Sequence, residues 1–100
     1  MPDPRIWPIP RANDGFAPVG VASAIALAAN VSRVDADFVN DSDNVIYLAR
    51  GNAAVVGWGI RLNPNGGSYH MGLFNLFLGD IYAIATGTGS NMTISEGVKP

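Results

Sequence analysis

The stretch NDSDNVIYLARGNAAVVGWGIRLNPNGGSYH, from Asn40 to His70, decides the fold class. Short apolar runs alternate with clusters of Asn, Asp, Ser and Gly. Such clusters reverse the chain, because short polar side chains bond their own backbone and Gly accepts positive φ. NDSDN supplies one reversal, and VIYLAR (Val45 to Arg50) is expected to return from it as a hairpin strand. GIRLNPNGGSYHM predicts a second hairpin, with its turn at Asn63 to Gly67. Between them Gly51, Gly57 and Gly59 punctuate a loop around Trp58.

The flanking segments carry the same period. In RVDADFV, Arg33 to Val39, the residues Val34, Ala36 and Phe38 share one face and Arg33, Asp35 and Asp37 the other. That is the pattern of a half-buried strand. Upstream, VGVASAIALAA is rich in Ala, which favours helix. Its large residues Val21, Ile25 and Leu27 nevertheless fall on odd positions and its even positions from Ala22 to Ala28 are all Ala, a period of two that predicts a strand with one closely packed face. Downstream, LFNLFLGDIYAIAT predicts two strand segments interrupted at Gly79-Asp80. GTGSN is a loop, and MTISE is a final strand with Met92 and Ile94 inward and Thr93 and Ser95 outward. About seven short strands with regular turns predict an all-β fold, an antiparallel β-sandwich or small barrel.

The first eighteen residues differ. Pro2, Pro4, Pro8, Pro10 and Pro18 remove backbone donors, which suits neither helix nor sheet interior. Yet the segment carries Ile6, Trp7, Ile9 and Phe16, which a solvated tail would not favour. The expected organisation is an extended Pro-rich arm over residues 1–18 and one β-sandwich domain over residues 19–100. The arm would lay its apolar residues on a neighbouring surface.

Composition bounds the function. The chain has 100 residues, of which 48% are hydrophobic and only 14% charged. Soluble proteins average about 25% charged residues, so a homo-oligomer with buried subunit contacts is expected. A net charge of -2 with Lys and Arg scattered singly offers no basic face for nucleic acid. The absence of cysteine removes disulfides, thiolate metal sites and a Cys nucleophile. APVGVASAIALAA, Ala17 to Ala29, imitates a secretory leader, but Asp3, Asp14 and four prolines precede its core. It is also too short to span a membrane, which takes about 20 apolar residues.

Candidate chemistry is sparse. His70 is the sole histidine and cannot make a metal site without converging ligands, so it reads as a surface or partner-contact residue. Asp35, Asp37, Asp41 and Asp43 are the best oxygen ligands, but their spacing lacks the Gly and closing Glu of a Ca²⁺ loop and suits ordinary turn chemistry. Glu96 is the only Glu, no Ser sits in a nucleophile elbow, and GTGSN lacks the Lys of a phosphate loop. Three matches to the glycosylation triplet, at Asn30, Asn40 and Asn91, are of the kind that arises by chance in a chain rich in Asn and Ser. No catalytic, metal or cofactor site is expected. Aromatics are the remaining candidates: Trp58 is either a core plug reached from a loop or an exposed platform. Tyr47, Tyr69 and Tyr82 have polar tips suited to interfaces.

The order of these signals resembles a group of short virion proteins of tailed bacteriophages built mostly of one β-sandwich. The resemblance runs from LAANVSR through NDSDNVIYLARG, GIRLNPNGGSYHM and LGDIYAIA to NMTISE. It rests on Asn30, Arg33, Asn40, Ser42, Asp43, Tyr47, Gly51, Pro64, Gly66, Gly67, Tyr82, Ala83 and Glu96. It spans Leu27 to Glu96 and leaves out the Pro-rich arm. The group's usual pattern has a simpler aliphatic or Gly-rich segment where this chain has GWG.

The resemblance implies a non-enzymatic structural protein located in the virion and assembled in the host cytoplasm. Head decoration or cement is the favoured role, with a trimer as the favoured homo-oligomer. Its partners would be the major capsid protein or other virion proteins, with no nucleic acid, membrane or small-molecule substrate. Ile6, Trp7, Ile9 and Phe16 would anchor the arm on a neighbour. The alternative is a carbohydrate- or receptor-binding module of a tail or baseplate, with Trp58 and Tyr69 or His70 around a groove.

Overall fold

The computed structural model describes residues 12–99. Eight strands and no helix form among them: β1 (Ala12–Val19), β2 (Ala24–Leu27), β3 (Arg33–Asn40), β4 (Ile46–Arg50), β5 (Ile60–Leu62), β6 (Ser68–Met71), β7 (Ile81–Ala85) and β8 (Ser90–Val98). They build two four-stranded antiparallel sheets, one ordered β1-β8-β3-β6 and the other β2-β7-β4-β5. The expected all-β sandwich is therefore what the chain forms. β4 and β5 are consecutive within one sheet, and each of the other connections crosses to the opposite sheet. This is the connectivity of an eight-stranded jelly roll.

The core lies between the sheets. Phe38, Met71, Met92, Ile94 and Val19 from the first sheet meet Ile46, Leu48, Leu62 and Ile81 from the second. Ala36, Ala83 and Ala85 fill the close approaches. Inward and outward residues alternate along each strand, and that alternation is why period two was legible in RVDADFV and MTISE.

Four expectations about local structure need correction. NDSDN and Asn63 to Gly67 do reverse the chain, but neither closes a hairpin. β3 and β6 belong to one sheet while β4 and β5 belong to the other, so both turns are corners between sheets. Leu73 to Leu78 is a loop, and only Ile81–Ala85 of LFNLFLGDIYAIAT is a strand. Residues 12–18 of the expected arm are part of β1, paired to β8 along its full length. Pro18 is tolerated there because β1 is an edge strand with one side free of ladder bonds. The rest of the expected arm, including Ile6, Trp7 and Ile9, lies outside the described residues.

The fourth correction concerns Arg33. Its pairing with Val98, followed by Asp35 with Gly97, inserts one extra residue into β3 at Val34. This bulge turns Arg33 inward, where it is fully buried. The guanidinium donates to Glu96 Oε2 at 2.6 Å and to the carbonyls of Phe77, Gly79 and Ala28. It thereby holds the 72–80 loop and the end of β2 on the sandwich. Among the described residues no buried side-chain nitrogen or oxygen lacks a partner.

Candidate interaction surface

Strand direction divides the sandwich into two ends of opposite character. At the Asn40 end the loops 41–45, 63–67 and 86–89 are polar and closely cross-linked. Asn40 is fully buried, and its amide donates to the carbonyls of Asn44 and Leu62 while its Oδ1 accepts from Ser42. Asn65 N donates to Ser42 O and Asn44 Nδ2 to Ser90 Oγ. Asp41 and Asp43 are exposed on this turn. Among the described residues no three His, Asp or Glu converge as a metal group would require.

The Arg33 end carries the loops 28–32, 51–59 and 72–80. Their backbones are tied together, with Asn30 N on Leu78 O and Gly51 N on Asp80 O. Large apolar side chains on them face outward. Eleven large hydrophobic residues are exposed among the described residues, and eight of them sit on these three loops. They are Val31, Val55, Val56, Trp58, Leu73, Phe74, Leu76 and Leu78. Phe74 is 98% exposed and Trp58 72% exposed. Hydrophobic residues scattered singly on a surface need no explanation, whereas a contiguous group marks an interaction site.

The 51–59 loop does more than close that end. Ala54 is buried and its N–H reaches Ser23 beside β2, so the loop folds back over the outer face of the second sheet. That face is itself short of charge. Ile25, Tyr82 and Ala49 are paired across one row, and Ile84, Tyr47 and Arg61 across the next. Between the loop and the sheet lies a groove of about 540 Å³ lined by Leu48, Ala49, Arg50, Asn52, Ala53, Val55, Trp58, Gly59 and Ile60. Gly59 adopts a positive φ there, and a Cβ would meet Leu48 O at 2.5 Å. The GWG spacing thus holds the loop against β4 and leaves Trp58 outside.

The outer face of the first sheet is different again. Asp14, Ser95, Asp37 and His70 form one row across all four strands. Ser95 Oγ donates to Asp14 at 2.5 Å, and His70 Nδ1 lies 2.6 Å from Asp37 Oδ1. Both members of the second pair are more than half exposed, so it contributes at most about 1 kcal/mol. Phe16 stands on this face, 70% exposed and paired with Thr93.

The seven residues singled out from sequence do not form one site. Trp58 lines the groove and is exposed, so it is not a core plug. Tyr69 turns inward, with its ring 6.3 Å from Phe38, and its hydroxyl accepts from Asn75. His70 faces outward on the first sheet, and neither it nor Tyr69 lines the groove. Phe16 belongs to a strand and not to an arm. Ile6, Trp7 and Ile9 are outside the described residues.

What sequence reasoning missed is the apolar 72–80 loop. The signal was present in GLFNLFLG, which has no alternation that could give it a polar face. Among the described residues no helix is long and apolar enough to cross a membrane. No protein-family model, curated protein or solved structure matches the chain.

Proposed function

We propose that this chain is a non-enzymatic structural protein of a tailed-bacteriophage virion, a decoration or cement subunit acting through protein–protein contacts. One observation carries the assembly role: most of the exposed large hydrophobic residues are gathered on three loops at one end of the sandwich. A monomer in water keeps such residues exposed only at a cost in solubility, and burial against a partner recovers about 25 cal/mol per Å². Binding to an assembled shell, and not to its separated parts, would stabilise that shell by mass action.

The virion assignment rests on the resemblance and on fold-level analogy, since jelly rolls include capsid domains but also lectins. On this proposal the subunit self-associates, with a trimer favoured, and contacts the major capsid protein through its apolar end. The Pro-rich segment leaves β1 at that same end, at Ala12. On this proposal Ile6, Trp7 and Ile9 contact a neighbouring subunit.

A second reading is favoured by one observation, the exposure of Trp58 beside a groove with Arg50 and Asn52 on its rim. An aromatic platform with polar neighbours suits a sugar, as in a receptor-binding tail module. The position of Tyr69 and His70 away from that groove weighs against the version expected from sequence.

Mass spectrometry of gradient-purified particles released from a culture that expresses this chain tests the proposal. Recovery in amounts comparable to the major capsid protein supports a shell component. Recovery of a few copies per particle moves the chain to the tail. Its absence from particles overturns the proposal.

A further inference from the structure

Resting on the second of those readings, we infer that the groove beneath Trp58 binds a glycan residue that carries a carboxylate. Trp58 is the platform for the sugar ring, and Arg50 pairs with the acid group. The platform is built into the backbone. Gly57 and Gly59 hold φ of 87° and 82°, which L side chains rarely adopt, and the turn they make sets the indole outward at 72% exposure. Val55 and Ile60 extend the apolar wall beside it. A wall of aromatic and aliphatic groups with a few polar side chains on its rim is the usual make-up of a small-ligand site. A pyranose ring suits it, because its C–H face can lie on the indole while its hydroxyls turn to the rim.

Charge selects the ligand within that class. Three arginines lie among the described residues. Arg33 is committed to Glu96 and three backbone carbonyls, and Arg61 donates to Asn63 Oδ1 and Tyr47 Oη. Arg50 is exposed at the end of β4 and has no carboxylate partner among the described residues. No Asp or Glu lines the groove, so its one charged side chain is positive although the whole chain carries -2. A guanidinium takes a carboxylate in two parallel hydrogen bonds, a geometry that a neutral hydroxyl does not reproduce. Asn52 Nδ2 donates to Arg50 O at 3.2 Å, which ties the two rim residues together and leaves Asn52 Oδ1 to accept from a sugar hydroxyl. The volume of about 540 Å³ falls in the small-ligand range and exceeds what a lone inorganic anion would fill. An acidic peptide would satisfy Arg50 but brings no rigid ring to Trp58.

Trp7 and Trp58 are the two tryptophans, so the full chain carrying Trp7→Phe reports Trp58 alone by fluorescence. Trigalacturonate, its neutral methyl ester and triglutamate are titrated into it. A saturable change in Trp58 emission is expected with trigalacturonate, and binding about tenfold weaker with the ester. Arg50→Gln in the same background is expected to remove that preference, whereas Arg61→Gln keeps it. Equal affinity for the acid and its ester overturns the inference and leaves the sugar reading standing. An acid preference that survives Arg50→Gln does the same. Triglutamate binding as tightly as trigalacturonate overturns both, because charge without a ring then suffices. No saturable change with either sugar also overturns both.

Discussion

Arg33 Nε lies 2.6 Å from Glu96 Oε2 inside the sandwich, joining the first residue of β3 to the C-terminal end of β8. The same guanidinium also donates to three backbone carbonyls from two other segments. A single buried cation therefore organises the Arg33 end, on which the apolar loops are displayed. Removing one partner leaves the other charge buried and unpaired. Arg33→Ala is expected to cost about 3–5 kcal/mol, measured by urea denaturation. The pair Arg33→Met with Glu96→Leu is expected to lose clearly less than the two single changes combined. Additive losses would show that the two side chains do not act together.

Asn40 plays the corresponding part at the other end. Its amide bridges the carbonyls of Asn44 and Leu62 from a fully buried position. Asn40→Ala is expected to destabilise by about 1–3 kcal/mol by leaving those carbonyls unpaired. Asn40→Asp should be at least as harmful, because a carboxylate cannot donate to either of them. Thermal melts of the two variants decide the order.

Gly67 and Gly15 form an internal control. A Cβ on Gly67 would overlap the backbone N and O of Asn63 and approach its Cα to 2.9 Å, whereas one on Gly15 meets nothing within 4 Å. Gly67→Ala is expected to lose about 1–3 kcal/mol through overpacking. Gly15→Ala should be neutral or stabilising by about 0.5 kcal/mol, since it removes freedom from the unfolded chain. Equal effects in calorimetry would contradict the tight turn at Asn63 to Gly67.

Phe74 tests the apolar end without touching the core. At 98% exposure its side chain contributes to no packing within the monomer. Phe74→Ser is expected to leave stability within about 0.5 kcal/mol of the parent. Association measured by light scattering over a concentration series should weaken in the same variant. Unchanged association would exclude the 72–80 loop from the contact.

The number of residues trimmed from the N-terminus also has a sharp expectation. Removing residues 1–11 leaves β1 whole, whereas removing residues 1–16 takes away its pairing with β8 from Ala12 to Phe16. Only the longer truncation should lower the melting temperature of the dilute chain, by several degrees at roughly 4–8 °C per kcal/mol.

The amino-acid sequence by itself determined the all-β class, the positions of most strands and the inward faces of β3 and β8. Those follow from period two and from turn residues, which act over a few positions. Tertiary structure alone decided what the turns connect. NDSDN and Asn63 to Gly67 have the local chemistry of hairpin loops, yet each lies between strands of different sheets, because partners are chosen by burial of whole faces. It also decided the side on which Arg33 falls. One bulged residue reverses the face, and Glu96, the partner that makes burial of the charge tolerable, is 63 positions away in sequence. The loop Leu73 to Leu78 reads locally as a strand, but the carbonyls of Phe77 and Gly79 are taken by Arg33 and not by a ladder. Trp58 follows the same rule: its flanking glycines show that the backbone turns closely there, and only the packing of that turn against β4 sends the ring outward.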